Sequence, residues 1–228
     1  MTGRFASRNF DQRALPVSMI VLHYTGMQDA RSAIDRLCDP EAKVSAHYVV
    51  EEDGTIHQLV SEEKRAWHAG KSHWREVADI NSASVGIEIV NPGHEWGYRD
   101  FPDAQVDAVI RLVSEVKDRH EITRGNVVGH SDIAPSRKQD PGERFPWGRL
   151  ARLRLALPRP TKNLMDPEWT EGGFLLALER FGYDVSSPMH AIMAFQRRFR
   201  PELMDGEIDA ECRMILLALL LPKPQGDE

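Results

Sequence analysis

Residues 18–23 read SMIVLH, a run of apolar and β-branched side chains that closes on a histidine. Such a run reads as a buried strand, and Thr25-Gly26 breaks it. Working outward, Ala33, Ile34 and Leu37 fall at helical spacing across residues 30–37, and Pro40 ends that helix. Residues 46–50 and 55–60 are β-type runs around Glu52-Asp53-Gly54, a strong hairpin signal. Residues 84–90, SVGIEIV, alternate: Val85, Ile87 and Ile89 face one way, and Gly86, Glu88 and Val90 the other. A glutamate beside a glycine on a sheet face is oddly placed for mere solubility. Val106, Val109, Ile110, Val113 and Val116 give residues 102–120 the stripe of an amphipathic helix. Residues 126–130, NVVGH, form a second short strand closing on a histidine, and residues 147–155 a further helix. Strands interleaved with helices imply an α/β fold, with a mixed central β-sheet flanked by helices. Residues 1–16 read as an irregular lead-in.

The proline-spaced stretch Leu157-Pro158-Arg159-Pro160 marks a boundary. Beyond it, residues 172–181, 189–199 and 209–221 are three helical candidates with no strand between them. The chain of 228 residues therefore divides into an α/β unit over 1–157 and a small three-helix unit over 162–228. Net charge is −6, so no global basic field is available for nucleic acid, and nothing favours an anionic membrane surface. No stretch approaches the ~20 apolar residues of a membrane span. The expected state is a monomer without nucleic-acid partners or membrane insertion. The first 26 residues hold no apolar core long enough for a secretory signal, so a cytoplasmic location is expected; a periplasmic protein trimmed of its export signal would read alike. The two cysteines, Cys38 and Cys212, are too few for a disulfide framework or a cysteine zinc site and read as free thiols.

The chemistry concentrates in residues 129–142, GHSDIAPSRKQDPG. His23 and His130 each close an apolar strand, where side chains distant in sequence can converge. Asp140 follows ten positions after His130 on a loop of turn formers. Two imidazoles and one carboxylate would leave the fourth position of a zinc ion open, the pattern of a catalytic site. Spacing alone does not settle the ligands: His47, His57, His68 and His73 compete, as do Asp132 and Asp140.

Five stretches carry a resemblance: IVLHYTG, SAHYVVEEDGTIHQLV, AWHAG, SVGIEIVN and GHSDIAPSRKQDPG. In order and spacing they resemble the zinc-dependent N-acetylmuramoyl-L-alanine amidases of the amidase-2 family, AmpD/AmiD type, over residues 17–155. The resemblance implies Zn2+ held by His23, His130 and Asp140, with Glu88 serving the catalytic water and Lys138 the oxyanion. It implies hydrolysis of the amide between the lactyl group of N-acetylmuramic acid, ordinary or 1,6-anhydro, and L-alanine, with peptidoglycan or its muropeptides as partner and wall turnover or recycling as setting. Residues 194–219, AFQRRFRPELMDGEIDAECRMILLAL, resemble a three-helix peptidoglycan-binding module; a helical appendage that only stabilises the first unit is the plainer reading.

Five further residues, Trp67, His68, Ala69, Asn91 and Asp132, are candidates for substrate contact. Trp67, His68 and Ala69 suit a groove that takes a sugar face and a peptide, Trp67 otherwise packing on the sheet. Gly86, beside Glu88, is expected to let substrate approach. Asn91 follows the GIEIV strand. Asp132 is a substrate or loop contact, with a local Asx turn as the favoured alternative. His47 is assigned a structural place in the sheet, and Arg197 and Arg198 a solvated helix face. The alternative function is a non-catalytic peptidoglycan recognition protein, which shares the fold but lacks ligands or catalytic groups. A zincin-type peptidase is disfavoured, because no His-Glu-x-x-His occurs.

Overall fold

The computed structural model describes residues 5–161 and 164–221. The strands are β1 (Phe10–Gln12), β2 (Met19–Tyr24), β3 (Tyr48–Val50), β4 (Ile56–Gln58), β5 (Lys64–Ala66), β6 (Ser84–Ile89) and β7 (Val127–Gly129). The helices are α1 (Ala30–Cys38), α2 (Ile80–Ala83), α3 (Gly93–Trp96), α4 (Asp103–His120), α5 (His130–Ile133), α6 (Trp147–Arg152), α7 (Glu171–Phe181), α8 (Pro188–Phe199) and α9 (Ala210–Leu220).

Five strands form one mixed sheet in the order β4-β3-β6-β2-β7. β2 runs parallel to β6 and β7, β6 parallel to β3, and only β4 is antiparallel. The Asp53-Gly54 hairpin joins β3 to β4, and the Asp53 carboxylate accepts the N–H of Thr55 at 2.8 Å. β1 and β5 pair in a separate two-stranded sheet, so the lead-in is not wholly irregular as expected. Strands as short and polar as FDQ and KRA have no period to reveal them.

The alternation of each strand divides the core. Ile20, Leu22, Val85, Ile87 and Ile89 face α4, where Val106, Val109, Leu112, Val113 and Val116 meet them. α4 also carries the fully buried Gln105, whose amide donates to the carbonyls of Val50 and Val90 at 3.1 and 2.9 Å and so caps the ends of β3 and β6. Met19 and Val21 face the other way. His23 continues that second face, and the β2–β6 register sets it directly beside Glu88.

The C-terminal helices do not stand apart. Phe174, Phe181, Phe195, Phe199 and Leu216 form one continuous apolar cluster with Met19, Val21, Trp74, Val128 and Ile133. α8 is not the solvated face expected at Arg197 and Arg198, each only 8% exposed. The Arg198 guanidinium lies 3.2 Å from the centroid of the Trp147 ring, so an aromatic face fifty-one residues away covers it. Cys38 and Cys212 are both free thiols. Among the described residues, no helix is long and apolar enough to cross a membrane.

Candidate metal centre and active-site cleft

β2 delivers His23 and α5 delivers His130, which opens a short helix rather than ending the strand before it. The loop after α5 returns Asp140 to the same point, pinned by the N–H of Ser131 donating to the Asp140 carbonyl at 2.8 Å. The Nδ1 atoms of His23 and His130 stand 2.9 Å apart, and Asp140 Oδ2 is 3.1 and 3.0 Å from them. Among the described residues, these three are the histidine, cysteine or acidic side chains whose ligand atoms converge in this way. All three are buried. Ligands each about 2.0–2.2 Å from one tetrahedral zinc ion stand roughly 3.3 Å from one another, so the triangle is close to the size one ion requires.

The bonds behind the imidazoles decide which nitrogens carry hydrogen. Ser84 Oγ donates to the carbonyl of Ile80 at 2.6 Å, which leaves it an acceptor toward His68 Nε2 at 3.2 Å. His68 Nδ1 then has only a lone pair, and it accepts from His23 Nε2 at 3.0 Å. His23 Nδ1 is thereby left unprotonated and faces the triangle. His130 repeats the arrangement by donating from Nε2 to the carbonyl of Ala69 at 3.1 Å. Hydrogen bonds of this kind fix tautomer and ring orientation at metal sites.

Electrostatics push in the same direction. Burial, reinforced by His130, lowers the His23 pKa to about 4. Burial also holds His68 well below the ordinary histidine range. For Asp140, burial acts upward, but the adjacent His130 and His23 outweigh it and hold the carboxyl below the usual carboxylate range. Burial therefore favours the neutral form of His23 while its neighbours favour the ionised form of Asp140, and two imidazoles with one carboxylate are the donor set of a catalytic zinc.

The cluster floors a cleft of about 510 Å³, and Glu88 and Lys138 both line it. Glu88 lies next to His23 across the strand pair, and its Oε2 has no hydrogen-bond partner although it is buried. Burial, aided by the nearby Asp140, raises the Glu88 pKa well above that of an ordinary glutamate. A carboxyl with a raised pKa and a free oxygen is suited to take and return a proton. Lys138 sits half-buried two residues before Asp140, and both line the cleft.

The candidate contact residues separate into two groups. Trp67 lines the cleft and donates from Nε1 to Asp11 at 2.8 Å. His68 also lines it, but its nitrogens are committed to His23 and Ser84. Gly86 does not leave room for substrate, as the sequence suggested: a Cβ there would lie 2.4–2.6 Å from the His68 ring, so the glycine makes space for that imidazole. Ala69 is fully buried and acts through its carbonyl. Asn91 is 1% exposed and holds a turn, donating to the carbonyl of Arg99 at 2.8 Å and accepting from Gly93 at 3.0 Å. Asp132, also 1% exposed, accepts the N–H of Gly129 at 2.7 Å, three residues back at the start of α5, a helix-capping contact and not an Asx turn. None of Ala69, Asn91 and Asp132 lines the cleft. His47 is structural as expected, accepting from the N–H of Gly86 at 2.9 Å. Arg36, His94 and Arg137 are among the cleft residues that escaped the sequence reading. His94 lies between Tyr24, at 2.9 Å, and Glu143, at 3.1 Å, on a four-residue helix too short to show a period.

Residues 13–143 match the profile of a family described as N-acetylmuramoyl-L-alanine amidase. The chain is 38% identical to N-acetylmuramoyl-L-alanine amidase AmiD of Escherichia coli K12, over 94% of its own length and 86% of the relative's. It is 32% identical to 1,6-anhydro-N-acetylmuramyl-L-alanine amidase AmpD of Haemophilus influenzae, over 63% of its own length and 86% of the relative's. The crystal structure of E. coli AmiD, in complex with the substrate anhydro-N-acetylmuramic acid-L-Ala-D-γ-Glu-L-Lys, resembles it with a TM-score of 0.81 and 34% identity, covering 96% of this chain and 92% of that one. AmpDh3 from Pseudomonas aeruginosa, in complex with an anhydromuramic pentapeptide, gives a TM-score of 0.72 at 30% identity, covering 96% and 93%.

Proposed function

This chain belongs to the N-acetylmuramoyl-L-alanine amidase family, and on that premise we propose that it hydrolyses the lactyl–L-alanine amide of peptidoglycan or muropeptides at a zinc site built from His23, His130 and Asp140. The carrying observation is the convergence of Nδ1, Nδ1 and Oδ2 in a cleft beside a carboxyl without a partner. Bound there, zinc would supply Lewis acidity toward water and toward the amide carbonyl.

The residues divide the remaining work. Glu88 accepts a proton from the attacking water, for which its free Oε2 and raised pKa suit it. The same carboxyl then delivers that proton to the nitrogen of L-alanine as the C–N bond breaks. Water oxygen ends on the lactyl carboxylate, and the amine leaves on the stem peptide. Lys138 offers positive charge to the oxygen of the tetrahedral intermediate, a contribution of roughly 3–4 kcal/mol for one well-placed donor. Trp67, half-buried at the cleft wall, offers an aromatic face to the sugar or peptide. The helical unit is read as a peptidoglycan-binding one, supported by an open groove of about 590 Å³ that includes Trp169, Met189 and Arg213.

The test is digestion of anhydro-muramoyl peptides, with products separated by mass spectrometry before and after chelation. Free stem peptide bearing an N-terminal L-alanine, released only with metal present, supports the reading. Intact muropeptide after prolonged incubation with zinc favours the non-catalytic recognition protein instead.

A further inference from the structure

The segment of α5 and its following loop, which carries two of the three metal ligands, is braced from the C-terminal helices, and the brace is a buried polar contact. Asp132 follows His130 by two residues. One of its oxygens, Oδ2, accepts the N–H of Gly129 at 2.7 Å and so fixes the turn that aims His130. The other, Oδ1, accepts the hydroxyl of Tyr183 at 2.7 Å, from the segment joining α7 to α8. Arg198 on α8 brings its Nε to 3.9 Å from Oδ2 while its guanidinium covers Trp147. Tyr183 is fully buried and stacks edge-on against Trp74 at 5.2 Å. The approach is close: a Cβ on Gly129 would lie 2.8 Å from Pro141 Cδ and 3.4 Å from Asp132 Oδ2. Movement of Asp132 would therefore be felt at Gly129, next to one ligand, and at Pro141, next to another.

We propose that Tyr183 and Arg198 are positioning residues of the metal site, acting through Asp132 on His130 and Asp140. The helical unit is then a structural part of the catalytic centre and not only a wall-binding appendage. Partners at this remove hold metal ligands in orientation, and their loss weakens metal binding by roughly 10- to 100-fold. This inference rests on the zinc reading above.

The test uses the full chain. Tyr183→Phe removes one hydroxyl and keeps the ring packed against Trp74, so folding is preserved. Zinc affinity is measured by competition with a calibrated chelator, alongside kcat and KM. The expected result is zinc affinity weaker by about tenfold or more, with kcat lowered at limiting zinc, recovered at excess zinc, and KM unchanged. Asp132→Ala, which removes both acceptors, should show at least the same loss, and adding Tyr183→Phe to it should weaken zinc little further, because the partner of that hydroxyl is already gone. Tyr183→Phe with wild-type zinc affinity and wild-type kcat, whatever its melting temperature, overturns the inference. A wild-type chain that binds no zinc overturns the metal reading itself, which separates the two failures.

Discussion

Two regions bury ionisable side chains, and they do so to opposite ends. In the helical unit, Arg200 is 1% exposed and pairs with Asp205, at 3.1 Å, and with Asp209. Gln196 closes that knot, donating to Asp205 and to the carbonyl of Glu207 at 3.0 Å each and accepting from the N–H of Gly206 at 2.8 Å. The knot closes its carboxylates on Arg200 and Gln196, and among the described residues no set of ligand atoms converges there. In the metal cleft, His23, His130 and Asp140 are equally buried, but their lone pairs converge on one point and Glu88 is left without a partner. Burial is common to both. What distinguishes a reactive site is donors oriented from behind and left incomplete in front.

Substitutions should separate the two regions, beginning with the largest effect. Asp140→Ala should abolish zinc retention, read by elemental analysis, and lower amide hydrolysis by on the order of 10³-fold or more. A variant that keeps stoichiometric zinc removes Asp140 from the ligand set. Lys138→Ala should retain zinc yet lose about 10²- to 10³-fold in kcat, and an unchanged kcat would deny it the oxyanion.

Acid should loosen the sheet unit of the zinc-free protein before the knot. His23 has its pKa lowered to about 4 and His47 to about 3, in both cases by burial. The unfolded chain takes up protons first as pH falls below about 6.5. Stability is thus full above that value and is lost progressively toward pH 4 and below, by a few kcal/mol. Glu88, with its raised pKa, acts in the opposite sense above the ordinary glutamate value and offsets part of the loss. Urea midpoints between pH 7 and 4.5 measure the balance, and a midpoint that rises on acidification contradicts it. The smallest effect belongs to the knot: Gln196→Ala should cost about 1–3 kcal/mol of stability while zinc affinity and kcat stay at wild-type values. A loss of zinc there would show the two regions coupled.

Much of this was legible in the residues. Alternation in SVGIEIV placed Glu88 on the opposite face from Val85 and Ile87, and the register of parallel strands then had to set it near a histidine ending the neighbouring strand. His23, His130 and Asp140 could be proposed from residue type, but only folding removed their rivals: His47 is consumed by Gly86 and Lys64, and His68 by His23 and Ser84. What stayed hidden depends on contacts between residues far apart in sequence. Arg198 looks solvated because Trp147 is remote, and Gly86 looks like space for substrate because His68 cannot be seen to fill it. Asp132 read as a turn residue because its second partner, Tyr183, lies fifty-one positions away.

X-ray absorption at the zinc edge of the loaded wild-type protein tests the central claim most directly. A single zinc per chain with two imidazole nitrogens, oxygen completing the shell and no sulfur is the predicted spectrum. Zinc bound through thiolate sulfur, or with no histidine scattering, would contradict it.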